Sequence, residues 1–190
     1  MTLFQMGLLT GQRSLSASSG YVFTGGDGGA LPFGQALTGP FSGAPFTGAQ
    51  VNGLAIETML VRRHVRVGWG VAKPFASFRL SDATSIDPEA GAVGVRAISL
   101  WDLRFALGGE FTVGRVTPAL DVVGTAEHVG ADLSVQGQAV SYSAWAFGLS
   151  ARAGVRVAID EHLYLVASGQ VGLQGGWPWM AELAVGCAAF

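Results

Sequence analysis

Residues 145–159 read WAFGLSARAGVRVAI, an apolar run that carries two arginines four residues apart. A spacing of four suggests one face of a helix, but the whole stretch alternates with a period of two, as a β-strand does. One parity is apolar: Trp145, Phe147, Leu149, Ala151, Ala153, Val155, Val157 and Ile159. The other parity is small or charged: Ala146, Gly148, Ser150, Arg152, Gly154, Arg156 and Ala158. The fold therefore depends on which face lies inside.

The same alternation recurs along the chain and predicts eight strands in one domain spanning residues 1–190. The strands are expected at residues 2–10, 51–61, 65–80, 92–113, 117–129, 145–159, 163–174 and 177–190. Tight turns follow the second, fourth and sixth strands, at residues 62–64, 114–116 and 160–162. The other connections fall at 13–50, 81–91, around 130–138 and at 175–176. This order predicts an antiparallel up-and-down meander with both termini at the tight-turn end.

The composition decides which face is inside. Charged residues make up 13% of the chain and hydrophobic residues 49%, with a mean hydropathy of +0.41. A soluble barrel fills its interior with apolar side chains and presents charge to water, and this chain has too few charges to cover that surface. No uninterrupted apolar run reaches the roughly 18 residues of a transmembrane helix. The pattern therefore predicts an all-β fold, an eight-stranded antiparallel up-and-down transmembrane β-barrel, with its apolar face toward lipid.

The charged residues then belong inside, since an arginine on the lipid face near mid-bilayer costs about 2–4 kcal/mol. The predicted lumen network comprises Glu57, Arg66, Arg96, Asp102, Arg104, Glu110, Asp121, Glu127, Arg152 and Arg156, with Glu182 as a further acid. An eight-stranded barrel is only wide enough for its side chains to fill. We therefore predict a salt-bridged plug, and an ion-conducting or proton-relay interior is the alternative.

Aromatic residues near the strand ends predict two girdles at the membrane interfaces. The girdle residues are Trp101, Trp145, Trp177 and Trp179 at the long-loop end, with Phe111 and Phe190 at the tight-turn end. Two places interrupt the pattern. Lys73 falls on the lipid parity beside Pro74, which predicts a bulge there. In the last strand Glu182 shares its parity with Phe190, which predicts a second bulge.

These features resemble the small eight-stranded outer-membrane barrels of Gram-negative bacteria, such as the transmembrane domain of outer membrane protein A. The resemblance covers residues 2–10 and 51–190 and includes the last strand, WMAELAVGCAAF, which ends in Phe190 with Ala188 two residues earlier. It implies a bacterial outer-membrane location, periplasmic termini and recognition of the C-terminal strand by the barrel-assembly machinery. It does not imply one function, because the scaffold hosts anchors, adhesins, narrow pores and lipid-modifying enzymes.

The segment 13–50 is much longer than a hairpin loop needs. It contains LPFGQA (31–36), PFSGA (40–44) and PFTGA (45–49), and after Arg13 its only charge is Asp27. Its aromatic residues are Phe23, Phe33, Phe41 and Phe46. The segment folds over the barrel mouth or wall, docks on an envelope protein, because exposed apolar patches mark interaction sites, or is disordered.

Catalytic motifs are lacking, so the sequence predicts no enzyme and no cofactor. Lipid A deacylases on this scaffold use a His and a Ser two residues apart, whereas residues 127–130 read EHVG. No His, Cys and carboxylate spacing indicates a metal. The net charge of −2 and the lack of a basic groove argue against nucleic acid. Three hypotheses remain: an anchor or subunit of an envelope assembly, a stand-alone narrow pore, and a lipid-modifying enzyme.

Overall fold

A computed structural model describes residues 1–15, 22–25, 46–75, 93–135, 138–174 and 178–189, with side chains over narrower ranges. Its nine strands are β1 (Thr2–Leu15), β2 (Val22–Gly25), β3 (Phe46–Arg62), β4 (Val65–Phe75), β5 (Val93–Glu110), β6 (Val116–Val135), β7 (Gln138–Ala158), β8 (Leu163–Gln174) and β9 (Trp179–Ala189). All except β2 form one antiparallel ring, which β7–β8 pairing closes. The predicted fold, an eight-stranded antiparallel up-and-down barrel, is confirmed. In the described part of the chain no helix is long and apolar enough to span a membrane.

The register sets the tilt of the strands. Following paired residues once round the barrel from Val61 in β3 leads back to β3 at Val51, a displacement of ten residues. A closed eight-stranded barrel with this stagger has strands tilted by about 40°, and its interior is just wide enough for side chains to fill. The stagger decides which inward side chains meet, and period-two alternation alone does not reveal it.

Three short turns and both described ends of the chain lie at one rim of the barrel. The Met1 carbonyl accepts a hydrogen bond from the Val61 amide (3.0 Å), and the His162 carbonyl accepts one from Ala188 (2.7 Å). In the β7–β8 turn, Asp160 accepts hydrogen bonds from the amides of His162 and Leu163, both 2.7 Å. These bonds favour the carboxylate and hold the pKa of Asp160 below its ordinary value.

Four strands, β1, β3, β6 and β7, extend further from this rim than the hydropathy pattern predicts. β1 continues to Leu15 and β3 begins at Phe46, both inside the predicted loop 13–50. The predicted polar connection around 130–138 falls largely in β6 and β7. Ladder hydrogen bonds do not require apolar side chains, so small and polar residues such as those of GADLSV continue a strand that hydropathy alone ends too early.

The short strand β2 also lies within the segment predicted to be loop. It pairs with β7 from Val22↔Trp145 to Gly25↔Tyr142. The pairs between β7 and β8 end at Leu149↔Gln174. β2 therefore occupies the edge of β7 just beyond the point where β8 stops.

Bulges fall elsewhere than predicted. β3 and β4 pair without a register shift as far as Asn52↔Phe75, so Lys73 and Pro74 form no bulge against β3. The described pairs with β5 end at Ala72↔Asp102, so Pro74, which cannot donate a backbone hydrogen bond, lies beyond them.

β9 also pairs with β1 without a shift, from Thr2↔Ala189 to Gln12↔Trp179. The predicted bulge near Glu182 is therefore wrong for residues 179–189. A register shift that the pattern did not predict occurs in β5, where Val95 pairs with Leu133 and Ala97 with Asp132. Arg96 is the extra residue of that bulge, so the alternation expected over residues 92–113 is interrupted there.

The outer face of the ring is apolar. Every barrel strand exposes large hydrophobic side chains, for example Met6, Ile56, Trp69, Leu107, Leu120, Phe147, Leu165 and Leu183. Every barrel strand also buries polar or charged side chains inside: Gln5, Glu57, Arg66, Arg104, Asp121, Arg152, Gln170 and Glu182. The arrangement is the reverse of a soluble protein, which buries its apolar residues.

Apolar side chains share the lumen with these polar groups, in contrast to the small and polar interior that the sequence suggested. One cluster lies toward the turn rim and comprises Leu3, Met59, Val61 and Tyr164. A second comprises Leu9, Val51, Ala55, Ala72 and Met180. The charged residues of the lumen therefore lie in a confined interior that apolar groups help to fill.

Candidate functional site

Four arginines and four carboxylates form an alternating chain of ion pairs across the lumen. At the turn-side end, Arg156 Nη2 lies 2.7 Å from Glu110 Oε1. The other oxygen of Glu110 lies 3.5 Å from Arg66 Nη1. Arg66 Nε then lies 3.0 Å from Asp121 Oδ1. Each carboxylate in this half is therefore shared between two guanidinium groups.

The chain continues through Arg152. Its Nε donates to Asp121 Oδ2 at 2.9 Å, and its Nη1 lies 2.7 Å from both oxygens of Glu57. Arg104 Nη1 lies 3.8 Å from Glu57 Oε1 and donates to Glu182 Oε2 at 3.3 Å. Buried charges need well-placed partners of opposite sign. The ion-pair chain has equal numbers of acids and bases, so each of its buried charges has such a partner.

Glu57 has three polar side chains of the lumen as neighbours. Besides the two arginines, it accepts a hydrogen bond from Gln5 Nε2 at 3.2 Å. Its exposed fraction is 3%, so water contributes little to its solvation. The neighbours of Glu57 therefore supply the stabilisation that water supplies to an exposed carboxylate.

Luminal glycines leave room for these contacts. Gly108 pairs with Arg66 on one side and with Asp121 on the other, so that this ion pair spans the intervening strand. Gly70 likewise lies between Glu57 and Arg104. A Cβ atom on Gly70 would lie 2.5 Å from Glu57 Cγ. Gly70 and Gly108 therefore lie on the strand between two charged residues, and the lack of a side chain lets those residues meet across it.

We predict that Gly108→Ala destabilises the barrel by about 1–3 kcal/mol, the usual cost of overpacking. The added Cβ would contact the Leu120 carbonyl and Asp121 Oδ1, and would lie 2.7 Å from Asp121 Cα. The measurement is urea-induced unfolding in lipid vesicles. Gly169→Ala is the matched control, because a Cβ at Gly169 meets nothing within 4 Å. Equal stability of the two variants would contradict this role of Gly108.

Several luminal residues that the charge pattern missed complete the site. Arg66 Nη2 donates to Met59 Sδ at 2.6 Å, and Arg104 Nη2 donates to Met180 Sδ at 3.0 Å. Gln170 Nε2 donates to Ser150 Oγ at 2.6 Å, and Ser150 in turn donates to the Val123 carbonyl. All of these side chains share the inward parity of the charges, so the alternation could have identified them.

The remaining predicted network residues lie further from the turn rim. Asp102 and Glu127 are buried, stand opposite each other in the β5–β6 register and take part in polar contacts. Glu182, the additional acid, is part of the ion-pair chain. The side chain of Arg96 lies outside the described residues.

The predicted girdle residues are only partly described. Trp101, Trp179 and Phe111 are exposed on the outer face. Lys73 lies over the Trp101 ring, with Nζ 4.4 Å from its centroid, and donates to Ser99 Oγ at 2.8 Å. The side chain of Trp145, and all of Trp177 and Phe190, lie outside the described residues.

The side chains of the aromatic residues predicted to bind a partner also lie outside the described residues. Phe23 belongs to β2 and Phe46 begins β3, but their side chains lie outside the described residues. Phe33 and Phe41 lie outside them entirely. The partner hypothesis therefore stays a prediction.

The turn-side half of the lumen contains a cavity of about 20 Å³, lined in part by Gln5, Arg66, Arg152, Arg156 and Ser168. A polar cavity of this size accommodates one water molecule. Such a water would supply further hydrogen bonds to the guanidinium groups. The cavity is too small for an organic ligand.

Histidine geometry bears on catalysis. His64 and His162 are exposed in turns of the rim. His128 stands opposite Trp101 in the β5–β6 register, on the parity opposite that of Glu127. None of the three shares the lumen with Ser150, the buried serine among the described side chains. Among the described residues no group of three or more His, Cys, Asp or Glu side chains is placed to hold a metal.

This architecture defines the chain as a small, closed β-barrel with the fold of the eight-stranded outer-membrane barrels. Neisserial surface protein A superposes with a TM-score of 0.54 at 13% identity, covering 97% of this chain and 94% of that one. Ail, the attachment invasion locus protein of Yersinia pestis, superposes with a TM-score of 0.53 at 12% identity, covering 98% and 96%. No protein-family model and no curated protein sequence matches the chain.

Proposed function

We propose that this protein is an integral protein of the bacterial outer membrane that serves as a structural anchor or subunit of an envelope assembly. Its tight turns and termini face the periplasm, and its lumen is sealed by the ion-pair network. The observation that carries the proposal is the inversion of polarity between the two faces. Large apolar side chains are exposed on every barrel strand, while the arginines and carboxylates pair inside.

The outer face supports a membrane environment. An exposed apolar surface that encircles the molecule is unfavourable in water, whereas the patches on typical soluble monomers cover a few hundred Å². In lipid the same surface is solvated, and the closed ring pairs the backbone groups that lipid cannot. The similarity to outer-membrane barrels adds support through the fold.

A sealed lumen accounts for the interior better than a narrow pore. The ion pairs link side chains of β3, β4, β5, β6, β7 and β9 across the barrel. Moving an ion through would require these groups to separate, at a cost of several kcal/mol for each buried charge left unpaired. The network therefore stabilises the barrel and closes it.

The partner-binding role rests on the segment 13–50. Between β2 and β3 this segment carries two Pro-Phe pairs, which include Phe33 and Phe41. A long, apolar and nearly uncharged connection is suited to contact an envelope protein. The C-terminal strand is the element that the barrel-assembly machinery would recognise. We infer that the protein is not an enzyme, since its three histidines lie away from the buried Ser150.

Deleting residues 26–44 tests the partner role while leaving the residues of β1, β2 and β3 in the chain. We expect the full chain, extracted from outer membranes in mild detergent, to migrate in a larger assembly and the deletion variant to migrate as a lone barrel. The double variant Phe33→Ser with Phe41→Ser should reproduce the deletion. Native mass measurement distinguishes these states. Identical lone particles would contradict a partner, and a steady current from the wild type in a planar bilayer would favour the narrow pore.

A further inference from the structure

Half of the turn-side rim carries exposed positive charge. The β3–β4 turn presents Arg62 and Arg63, and the β5–β6 turn presents Arg115. The two turns are neighbours, because the His64 carbonyl accepts a hydrogen bond from the Glu110 amide at 2.9 Å.

The exposed acidic residues described at this rim are in the third turn. Asp160 and Glu161 are exposed there, between β7 and β8. Asp160 is engaged by the amides of its own turn. The third turn adjoins the second, because the Arg115 carbonyl accepts a hydrogen bond from the Ala158 amide at 2.8 Å. The first turn, with Arg62 and Arg63, is therefore the one whose positive charge has no acidic turn beside it among the described residues.

A groove runs from this charged rim onto the apolar outer face. It is lined by His64, Gly109, Glu110, Phe111, Pro118 and Leu120. The His64 ring donates from Nδ1 to the Glu110 carbonyl at 3.3 Å, and its centroid lies 6.0 Å from that of Phe111. Phe111 and Leu120 are exposed on the outer face, so the groove runs from the β3–β4 turn, which carries Arg62 and Arg63, to the apolar belt below.

The backbone of Arg63 adds an independent observation. Its φ is 58°, in the left-handed region that favours glycine, and the β5–β6 turn has Gly114 at a φ of 61°. A glycine at this position of the first turn would adopt the same φ with less backbone strain. A charged residue at a strained backbone position points to a role for its side chain.

We propose that this half of the rim binds an anionic glycerophospholipid, with its headgroup phosphate against Arg62, Arg63 and Arg115 and an acyl chain in the groove beside Phe111 and Leu120. Guanidinium groups bind phosphate oxygens with directed, charge-assisted hydrogen bonds. Free phosphate or an acidic protein surface would contact only the charged side chains. The adjoining apolar groove therefore favours a lipid as the ligand. The site deepens the proposed function, since it requires the barrel to lie in a bilayer.

The test uses the full chain in phosphatidylcholine nanodiscs that contain a minor fraction of phosphatidylglycerol with the same acyl chains. Native mass spectrometry of the released barrel counts the lipids it retains, and we expect phosphatidylglycerol to be enriched over its share of the bilayer. The variant Arg62→Gln, Arg63→Asn and Arg115→Gln removes the charges, with asparagine tolerating the left-handed backbone. Each arginine removed should weaken retention about fivefold. The control Lys73→Gln removes one charge away from this rim and should keep the enrichment.

Three outcomes would overturn the site: an unchanged enrichment in the triple variant, an equal loss in Lys73→Gln, or displacement of the retained lipid by inorganic phosphate at the same concentration as the headgroup. The last would mean that the groove contributes nothing. Absence of phosphatidylglycerol enrichment in the wild type, with normal insertion, refutes the lipid site and leaves the barrel proposal standing. A chain that fails to insert into nanodiscs contradicts both.

Discussion

Glu57→Gln is expected to lower the free energy of unfolding by about 3–5 kcal/mol, the cost of breaking a buried ion pair from one side. The substitution keeps the shape of the side chain but leaves four arginines facing three carboxylates in the ion-pair chain. Arg152 loses both of its 2.7 Å contacts to carboxylate oxygens, and Arg104 loses its second acid. The new amide N–H groups also face donors, including Gln5 Nε2. Urea-induced unfolding in lipid vesicles, followed by tryptophan fluorescence, measures the difference.

Glu161→Gln is the control, because Glu161 is exposed in the β7–β8 turn and its loss should change stability by less than about 0.5 kcal/mol. A second variant separates charge balance from packing. Glu57→Gln combined with Arg152→Gln restores equal numbers of acids and bases, so the double variant should lose less stability than the two single variants added together. A loss below about 1 kcal/mol for Glu57→Gln, or strict additivity, would mean that the network does not act as a coupled unit.

The inward placement of the charges was accessible from alternation alone, but their pairing was not. Arg152 and Glu57 lie on strands that are far apart in sequence, and they meet because of the ten-residue stagger of the closed barrel. Arg66 reaches Asp121 across Gly108 for the same reason. Stagger is a property of the closed ring, and a shift of one residue in a single pairing would turn a whole strand's side chains to the opposite face.

Other differences have local causes. The alternation predicted over residues 92–113 is interrupted at Arg96, where a bulge places one extra residue in β5. A bulge leaves no signal in the amino-acid composition, so the pattern does not reveal it. Met59 and Met180 were not recognised as partners of arginine because a thioether counts as apolar, although its sulfur is a weak acceptor. Hydropathy predicts loop where β6 and β7 continue beyond the apolar belt, because small and polar residues pair in a ladder without a hydropathy signal.

The second large effect concerns the outer face, and it distinguishes lipid from water as the surrounding medium. Leu107→Arg is expected to destabilise the barrel in lipid vesicles by about 2–4 kcal/mol, the cost of arginine at the midplane on the lipid face. Leu107 is 61% exposed and lies between Trp101 and Phe111, which mark the two predicted interfaces. Its register partners, Val67 and Val122, are also exposed and apolar. They offer the guanidinium no acceptor.

Val113→Arg is the matched control, because Val113 has the same exposed fraction of 61% but lies in the turn between β5 and β6. An arginine there reaches the interface, where the cost falls to about 0–1 kcal/mol. Leu107→Ala separates the loss of the leucine side chain from the effect of the charge. On a barrel surrounded by water, both arginine variants would change stability by less than about 0.5 kcal/mol, as surface substitutions usually do. Equal and small effects would therefore refute the lipid-facing orientation, whereas a dependence on depth requires a bilayer around the ring.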